Sequence, residues 1–214
     1  MTVFEIIGWI AAIGVVIMYI PQIIKVLKLK STQGIEVKSF LIIAVGGLMW
    51  VIFTALFNSM QGFISNMLIS LMMIVIIWYE FKKDMWKFIS ITSAIFTVIL
   101  TSIIIYAFNL SNDIPFGFKV VILLIAGSCT GLGLLPQVIK VIKTKDFGNY
   151  SLISSLLITI FNILWVIYWI GKTTDSSGWE DISLGLLSAL LSFFGLAIQL
   201  PVLALYVKTN HAKV

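Results

Sequence analysis

The sequence predicts an all-α, polytopic membrane protein with seven transmembrane helices. Of its 214 residues, 60% are hydrophobic and only 11% are charged, and the mean hydropathy is +1.12. A soluble domain of this size carries roughly twice that charged fraction, and much of a small fold must face its solvent. The apolar residues also fall into seven runs, each close to the ~20 residues that cross ~30 Å of hydrocarbon as a helix. The predicted surroundings are therefore mostly lipid.

The seven predicted helices use nearly the whole chain and leave no soluble catalytic domain. The first run is too long for the apolar core of a signal peptide, and no basic side chain precedes it. The predicted helices span 6–27, 39–57, 62–81, 88–108, 116–142, 151–171 and 181–207.

All fourteen cationic side chains are lysines, and their placement predicts the orientation of the chain. Twelve follow the first, third, fifth and seventh predicted helices, whereas only Lys119 and Lys172 lie on the opposite side. By the positive-inside rule, the amino terminus is expected outside the cell membrane and the carboxyl terminus in the cytosol. Because the lysines are scattered over short loops and a tail, no nucleic-acid partner is expected.

Metal, cofactor and enzyme chemistry are not expected from this composition. Cys129 lies alone in an apolar segment and the single histidine, His211, lies in the tail, so neither a disulfide nor a His–Cys zinc site is predicted. The sequence offers no nucleophile–base pair and no phosphate loop, and an enzyme is therefore the least favoured class.

The chain contains an internal repeat at an offset of 115 residues. Pro21-Gln22 recurs as Pro136-Gln137, Trp50 recurs as Trp165, and three lysines that follow the first dipeptide recur after the second. Apolar helices resemble one another by composition alone, but these residue types are rare and keep one spacing. The repeat therefore indicates a duplicated structural unit.

Each repeat spans three predicted helices, with the fourth helix between them. An odd number of helices plus one linker helix leaves both copies pointing the same way, which predicts two parallel three-helix bundles in a 3+1+3 arrangement. The predicted boundaries are 1–83 for the first bundle, 84–110 for the linker helix, and 111–214 for the second bundle with a short tail.

The repeated dipeptides resemble the motif that defines PQ-loop proteins. The first is followed by Lys30-Ser31-Thr32-Gln33-Gly34 and the second by Lys145-Asp146-Phe147-Gly148. The superfamily includes SWEET and SemiSWEET sugar transporters, in which parallel repeats of this kind occur, and cystinosin-like exporters. The resemblance is strongest to the SWEET type and implies alternating-access transport of a small polar solute, most of all a sugar.

The same resemblance implies a role for the repeated dipeptides. Pro21 and Pro136 would bend their helices to open an inner gate, and Gln22 and Gln137 would bridge the backbone groups that proline leaves free. A static kink is the alternative, because proline is common in membrane helices.

The spacing of four residues predicts a pocket inside the bundle. Trp50 and Asn66 each lie eight residues from a turn near Asn58, so antiparallel helices would place them at equal depth, about 12 Å into the bundle. Trp165 and Asp181 repeat this spacing and would complete the layer. In the SWEET resemblance, a tryptophan of the second helix and an asparagine of the third line the sugar site. An indole ring packs on the C–H face of a sugar, and an amide both donates and accepts hydrogen bonds.

Each pocket residue also has a structural alternative. Tryptophan is enriched at membrane interfaces. Asn162, one turn before Trp165, would add a second amide or would bond between helices. Asp181 stands where the family usually has asparagine. At membrane depth a carboxylate costs about 2.5–3.5 kcal/mol and is usually functional, as a proton or cation site. In the first turn of the last helix it would instead be stabilised by the helix dipole.

Tyr168 and Lys172 follow Trp165 by one and two helical turns. They resemble the aromatic and basic outer-gate residues of SemiSWEETs, with interfacial anchoring as the alternative.

Three functions remain open from the sequence. The first is facilitated diffusion of a sugar, and the second is a proton-coupled carrier of an amino acid or cationic metabolite. The third is a non-transporting receptor on the same fold. The expected partners are a small-molecule substrate and the lipid bilayer, and a homo-oligomer is left open.

Overall fold

A computed structural model describes residues 2–32, 37–108, 110, 114–144 and 152–211. The prediction of an all-helical fold with seven helices is confirmed, and the predicted bounds differ from the observed ones by a few residues. The helices are α1 Val3–Leu29, α2 Val37–Leu56, α3 Met60–Phe81, α4 Met85–Ala107, α5 Phe116–Thr144, α6 Leu152–Thr174 and α7 Trp179–His211. Within the described residues, six helices are long and apolar enough to cross a membrane, and α2 has a shorter apolar segment, Leu41–Leu56.

Short polar side chains set where three of the helices begin. The Thr2 hydroxyl accepts a hydrogen bond from the Glu5 backbone N–H, and the Glu5 carboxylate accepts one from the Thr2 N–H, which makes a capping box for α1. Ser59 caps α3 and Asp84 caps α4. Hydrogen bonds from Lys87 to the Asp84 carboxylate lower the pKa of Asp84. These caps keep the α2–α3 and α3–α4 turns short.

The helices are described below as two groups, α1–α3 and α5–α7. α3 packs against α1 and α2, whereas α7 packs against α5 and α6. The groups meet where α1 contacts α6 and where α2 contacts α5. α4 packs on α2 and α3. These two meeting lines are called the α1·α6 seam and the α2·α5 seam below.

The glycines of the first seam show its direction. Gly8 lies against the ring of Tyr168, and Gly14, further along α1, lies against the ring of Phe161, which comes earlier in α6. α1 and α6 therefore run in opposite directions.

The α2·α5 seam is also antiparallel. Gly46 lies against Thr130, while Gly133 of α5 lies against Ile43, which comes earlier in α2. The backbones approach closely here, because a Cβ on Gly46 would lie 2.8 Å from the backbone nitrogen of Thr130. Only glycine fits at this crossing.

Helices within the second group complete the pattern of directions. Gly127 and Gly131 of α5 lie against Leu191 and Phe194, which also ascend along α7, so α5 and α7 are parallel. Gly185 lies against Thr173 near the short turn between α6 and α7, and these two helices are therefore antiparallel. The α2–α3 turn is also short, so α2 and α3 are antiparallel. Together these contacts show that α1, α3, α5 and α7 point one way, and α2 and α6 the other.

The two seams are related by the 115-residue repeat but differ in side-chain size. Gly14 corresponds to Cys129 and Gly46 corresponds to Phe161. In the α1·α6 seam, the glycine is on α1 and the large ring on α6; in the α2·α5 seam, the glycine is on α2, and Cys129 and Thr130 of α5 fill the space. Large and small residues are thus exchanged between the seams.

The end of α1 is fixed to its own group. Ile23 and Val26, which follow Pro21, are buried in one apolar cluster with Met73 of α3 and Ile95 of α4. At the same end of the molecule, Lys82 donates a hydrogen bond to the Lys30 carbonyl at 3.1 Å, and Thr32 donates one to Glu80 at 2.7 Å. The last turns of α1 therefore stay with α3.

Candidate functional site

A cavity of about 130 Å³ lies between the two groups of helices. Side chains of α1, α2, α3, α5, α6 and α7 line it, and none of the described lining residues lies on α4. Both groups of helices therefore contribute to the cavity, and the described residues of α4 do not.

Four of the five predicted pocket residues surround this cavity. Trp50, Asn66, Asn162 and Trp165 all line it, and they come from three helices, α2, α3 and α6, brought together by the helix packing. Their role in binding a solute stays a prediction. The fifth residue, Asp181, is not among the lining residues.

Asp181 lies in the first turn of α7 and its side chain is exposed. The predicted layer places Asp181 beside Trp165 only if the α6–α7 turn copies the α2–α3 turn at the 115-residue offset. In the structure α6 continues to Thr174, and α7 begins only at Trp179, four residues later than the start of α3 predicts. Asp181 is therefore missing from the predicted layer. It lies instead in the first turn of the last helix, as the alternative interpretation of this residue expected.

The two asparagines of the cavity make the same local hydrogen bond. The Asn66 amide N–H donates to the Gly62 carbonyl at 2.8 Å, and the Asn162 amide N–H donates to the Ile158 carbonyl at 2.9 Å. In both cases the acceptor is one turn earlier in the same helix, so the amide is held in place. Each amide keeps its oxygen and a second N–H, which are the groups a polar solute needs.

The remaining polar groups of the cavity are uncharged. Tyr19, Thr130 and Ser192 bring hydroxyl groups from three further helices. None of the described lining residues is Asp, Glu, Lys or His. An ionised solute would leave water here without a partner of opposite charge, which is unfavourable, so the chemistry suits a neutral solute.

Aromatic rings close one end of the cavity. The Trp169 ring, 2% exposed, lies nearly parallel to Trp50, with ring centroids 6.1 Å apart, and to Trp165, at 5.9 Å. Phe53 of α2 and Phe57, which directly follows α2, pack against Trp169. These five rings, called the aromatic roof below, separate the cavity from the α2–α3 turn.

A buried hydrogen-bond cluster lies beyond the aromatic roof. The Tyr168 hydroxyl lies 2.8 Å from the Ser59 hydroxyl and donates to the Gln61 side chain at 3.2 Å. All three residues are buried, although Tyr168 belongs to α6 and its partners to the first group of helices. Lys172, the other predicted outer-gate residue, is half-buried one turn further along α6 and is not part of this cluster.

Pro21 and Pro136 lie inside α1 and α5, and both side chains are exposed. Gln22 and Gln137 are in the same helices, but their side chains are outside the described part of the structure. Before Pro21, Gly8 and Gly14 of α1 contact α6, and after it Ile23 and Val26 are buried in the cluster that contains Met73 of α3.

The residues predicted from the sequence do not include several that the structure places at the site. Trp169 is one turn after Trp165, so helical periodicity alone would have placed both rings on one face. Thr130, Tyr19 and Ser192 carry no comparable signal, because their position depends on how distant helices rotate against one another. Ser59 caps α3 and Gln61 lies in its first turn, and their common partner, Tyr168, is more than 100 residues away in the chain.

The apolar helices indicate a multi-pass membrane protein, and a cavity lies between its helices. A family model described as PQ loop repeat matches residues 3–63, which cover α1, α2 and the start of α3. This family includes membrane transporters. No curated protein and no solved structure matches the chain.

Proposed function

We propose that this protein is a facilitative transporter of a small neutral polyhydroxylated solute, most closely a monosaccharide, that works by alternating access. The observation that carries the proposal is the shared cavity, where Trp50, Trp165 and two asparagines meet and none of the described lining residues is charged. The PQ loop repeat at residues 3–63 supports membrane transport as the class.

The proposed architecture is the 3+1+3 arrangement. Two parallel three-helix bundles, α1–α3 and α5–α7, would rock about the cavity, with α4 as the linker between them. The packing of α3 on α1 and α2 and of α7 on α5 and α6 supports this division. The common direction of α1 and α5, and of α3 and α7, supports the parallel repeat.

The size of the cavity favours a single ring. An apolar cavity of about 150 Å³ holds one benzene molecule, and the present cavity measures about 130 Å³. A solute with one six-membered ring would therefore fill it, whereas two linked rings would require it to expand.

The described conformation would be closed on its outer side. The aromatic roof and the Tyr168 cluster lie at the end that holds the α2–α3 turn. The lysine-rich end, where Lys30 and Lys82 meet, would face the cytosol of the cell by the positive-inside rule. Opening the roof then requires the α1·α6 seam to separate, and Pro21 and Pro136 are the proposed bending points.

The proposal is tested by flux through the purified protein in liposomes. We expect saturable uptake of labelled D-glucose that stops at equal concentrations, is independent of a pH gradient, and shows counterflow. Sucrose uptake is expected to be much slower, because of the cavity size. Empty liposomes and liposomes with the Asp181→Asn variant serve as controls, and the variant should transport like wild type.

Other outcomes would contradict the proposal in distinct ways. Uptake that requires an inward proton gradient and is lost in Asp181→Asn would support the proton-coupled carrier. Specific binding without flux would support a receptor.

Replacing Tyr168 by phenylalanine is expected to open the outer side more often. The ring and its packing remain, but Ser59 and Gln61 lose a buried hydrogen-bond partner, which costs about 1–3 kcal/mol in the closed state. The measurement uses Ser192→Cys in a Cys129→Ser background and a thiol reagent that does not cross the membrane. Labelling from the side of the α2–α3 turn should become about tenfold faster.

Tyr106→Phe provides the matched control for this experiment. Tyr106 of α4 stacks on Phe63 at 5.2 Å, away from the described lining residues of the cavity, so removing its hydroxyl should leave the labelling rate unchanged. Equal labelling rates in wild type and Tyr168→Phe would show that the cluster does not hold the outer side closed.

A further inference from the structure

We propose that Thr130 is a positioning residue, which fixes the Trp50 ring as a rigid platform of the cavity while Trp165 is left free to adapt. This inference rests on the proposed function, since it concerns how the two tryptophans would receive the solute. It starts from a hydrogen bond between the two groups of helices: the Trp50 indole N–H donates to the Thr130 hydroxyl at 3.3 Å.

The Thr130 hydroxyl is oriented for this task by its own helix. It donates its proton to the Ala126 carbonyl, one turn earlier in α5, at 2.9 Å. A hydroxyl whose single proton is used in this way presents only lone pairs elsewhere. The oxygen can therefore act as an acceptor toward the indole N–H without rotating.

The close approach of α2 and α5 brings this acceptor within reach. Gly46 lies one turn before Trp50, and a Cβ there would lie 2.7 Å from the Thr130 methyl group. The missing side chain lets Thr130 approach the edge of the indole ring that carries the N–H. The Trp50 ring is only 9% exposed and also contacts Phe53 and Trp169, so both its position and its rotation are constrained.

The other tryptophan lacks this support. At the 115-residue offset, Trp50 corresponds to Trp165 and Thr130 corresponds to Val15. Val15 also lines the cavity, but a valine side chain offers no acceptor. Within the described part of the chain, the indole N–H of Trp165 makes no hydrogen bond, and its ring contacts Tyr168 and Trp169.

Both copies of the repeat therefore contain the tryptophan, but only Trp50 has a hydrogen bond that fixes the orientation of its ring. A rigid ring binds a solute with a smaller loss of side-chain entropy than a mobile one. Trp50 would accordingly set the pose of the solute. Trp165, with its N–H available, would adjust to it or donate a hydrogen bond of its own.

The test compares substitutions at the two corresponding positions, Thr130 and Val15, in the full-length protein in nanodiscs. Thr130→Val gives Trp50 the surroundings of Trp165, Thr130→Ser keeps the acceptor, and Val15→Thr offers an acceptor to Trp165. Indole N–H signals are resolved by ¹⁵N NMR, assigned with Trp50→Phe and Trp165→Phe, and followed during exchange into D₂O. D-glucose uptake into liposomes is measured for the same variants.

We expect Thr130→Val to accelerate exchange of the Trp50 indole proton about tenfold and to raise the KM for glucose about threefold to tenfold with little change in the maximal rate. Thr130→Ser should retain both wild-type values. Val15→Thr should slow exchange of the Trp165 indole proton.

Two results would overturn the inference. The first is unchanged Trp50 exchange in Thr130→Val, which would mean that the hydrogen bond does not hold the ring. The second is faster exchange with an unchanged KM, which would mean that the ring's orientation does not serve the solute. If wild type fails to take up glucose at all, the proposed substrate is wrong, whereas the exchange measurement still reports separately on the Thr130–Trp50 hydrogen bond.

Discussion

Replacing Trp50 by alanine is expected to lower glucose uptake at low solute concentration by about tenfold or more. The ring supplies one wall of the cavity, and its loss removes both apolar contact area and the geometry that an aromatic face provides. A loss of about 1.4 kcal/mol in binding already corresponds to tenfold. Initial uptake rates over a range of glucose concentrations in liposomes measure the effect.

Two further variants separate binding from folding in this experiment. Trp50→Phe keeps an aromatic face and is expected to retain part of the activity. Trp86→Ala removes a tryptophan that is 81% exposed at the start of α4, and it should transport like wild type. If Trp50→Ala remains folded by thermal unfolding and transports normally, the cavity is not the solute pathway.

Replacing Gly46 by alanine is expected to have the largest effect on stability. The added Cβ would lie 2.8 Å from the backbone nitrogen of Thr130 and 2.9 Å from the Cys129 Cβ. Backbone cannot step aside as a flexible side chain does, so α2 and α5 must separate. Overpacking of this kind costs about 1–3 kcal/mol, and we expect a lower unfolding temperature and a lower yield of monodisperse protein.

Two other helical glycines, Gly47 and Gly117, provide matched controls for this prediction. At Gly47, an added Cβ would meet the Ser70 hydroxyl at 3.6 Å, an ordinary contact, and at Gly117 it would meet nothing within 4 Å. Gly47→Ala and Gly117→Ala should therefore unfold at or above the wild-type temperature, because alanine is the better helix former by about 1 kcal/mol. An unfolding temperature of Gly46→Ala that matches both controls would contradict the tight packing of this seam.

Hydropathy was sufficient to predict the seven helices, because a membrane helix must satisfy its backbone hydrogen bonds internally and carry apolar side chains throughout its length. The repeat offset was sufficient to pair Trp50 with Trp165. The same offset misplaced Asp181, since it ignores the later start of α7. Helix ends depend on local capping and turn length, which a repeat does not have to preserve.

Contacts between distant helices could not be predicted from one sequence, because they depend on how each helix is rotated about its axis. The contact between Trp50 and Thr130 joins residues 80 apart in the chain, and Trp169 takes its place in the roof only because α2 and α6 present rings to each other. Apolar helices with little variation around their circumference give no clear signal about which face turns inward.

The exchange of large and small residues between the two seams has a consequence for how the halves recognise each other. If two first halves met in the same way, Gly14 would face Gly46 and leave a gap. If two second halves met, Cys129 would be pressed against the ring of Phe161. The seams therefore pack well only between a first and a second repeat. Two identical copies of either repeat would not be complementary to each other.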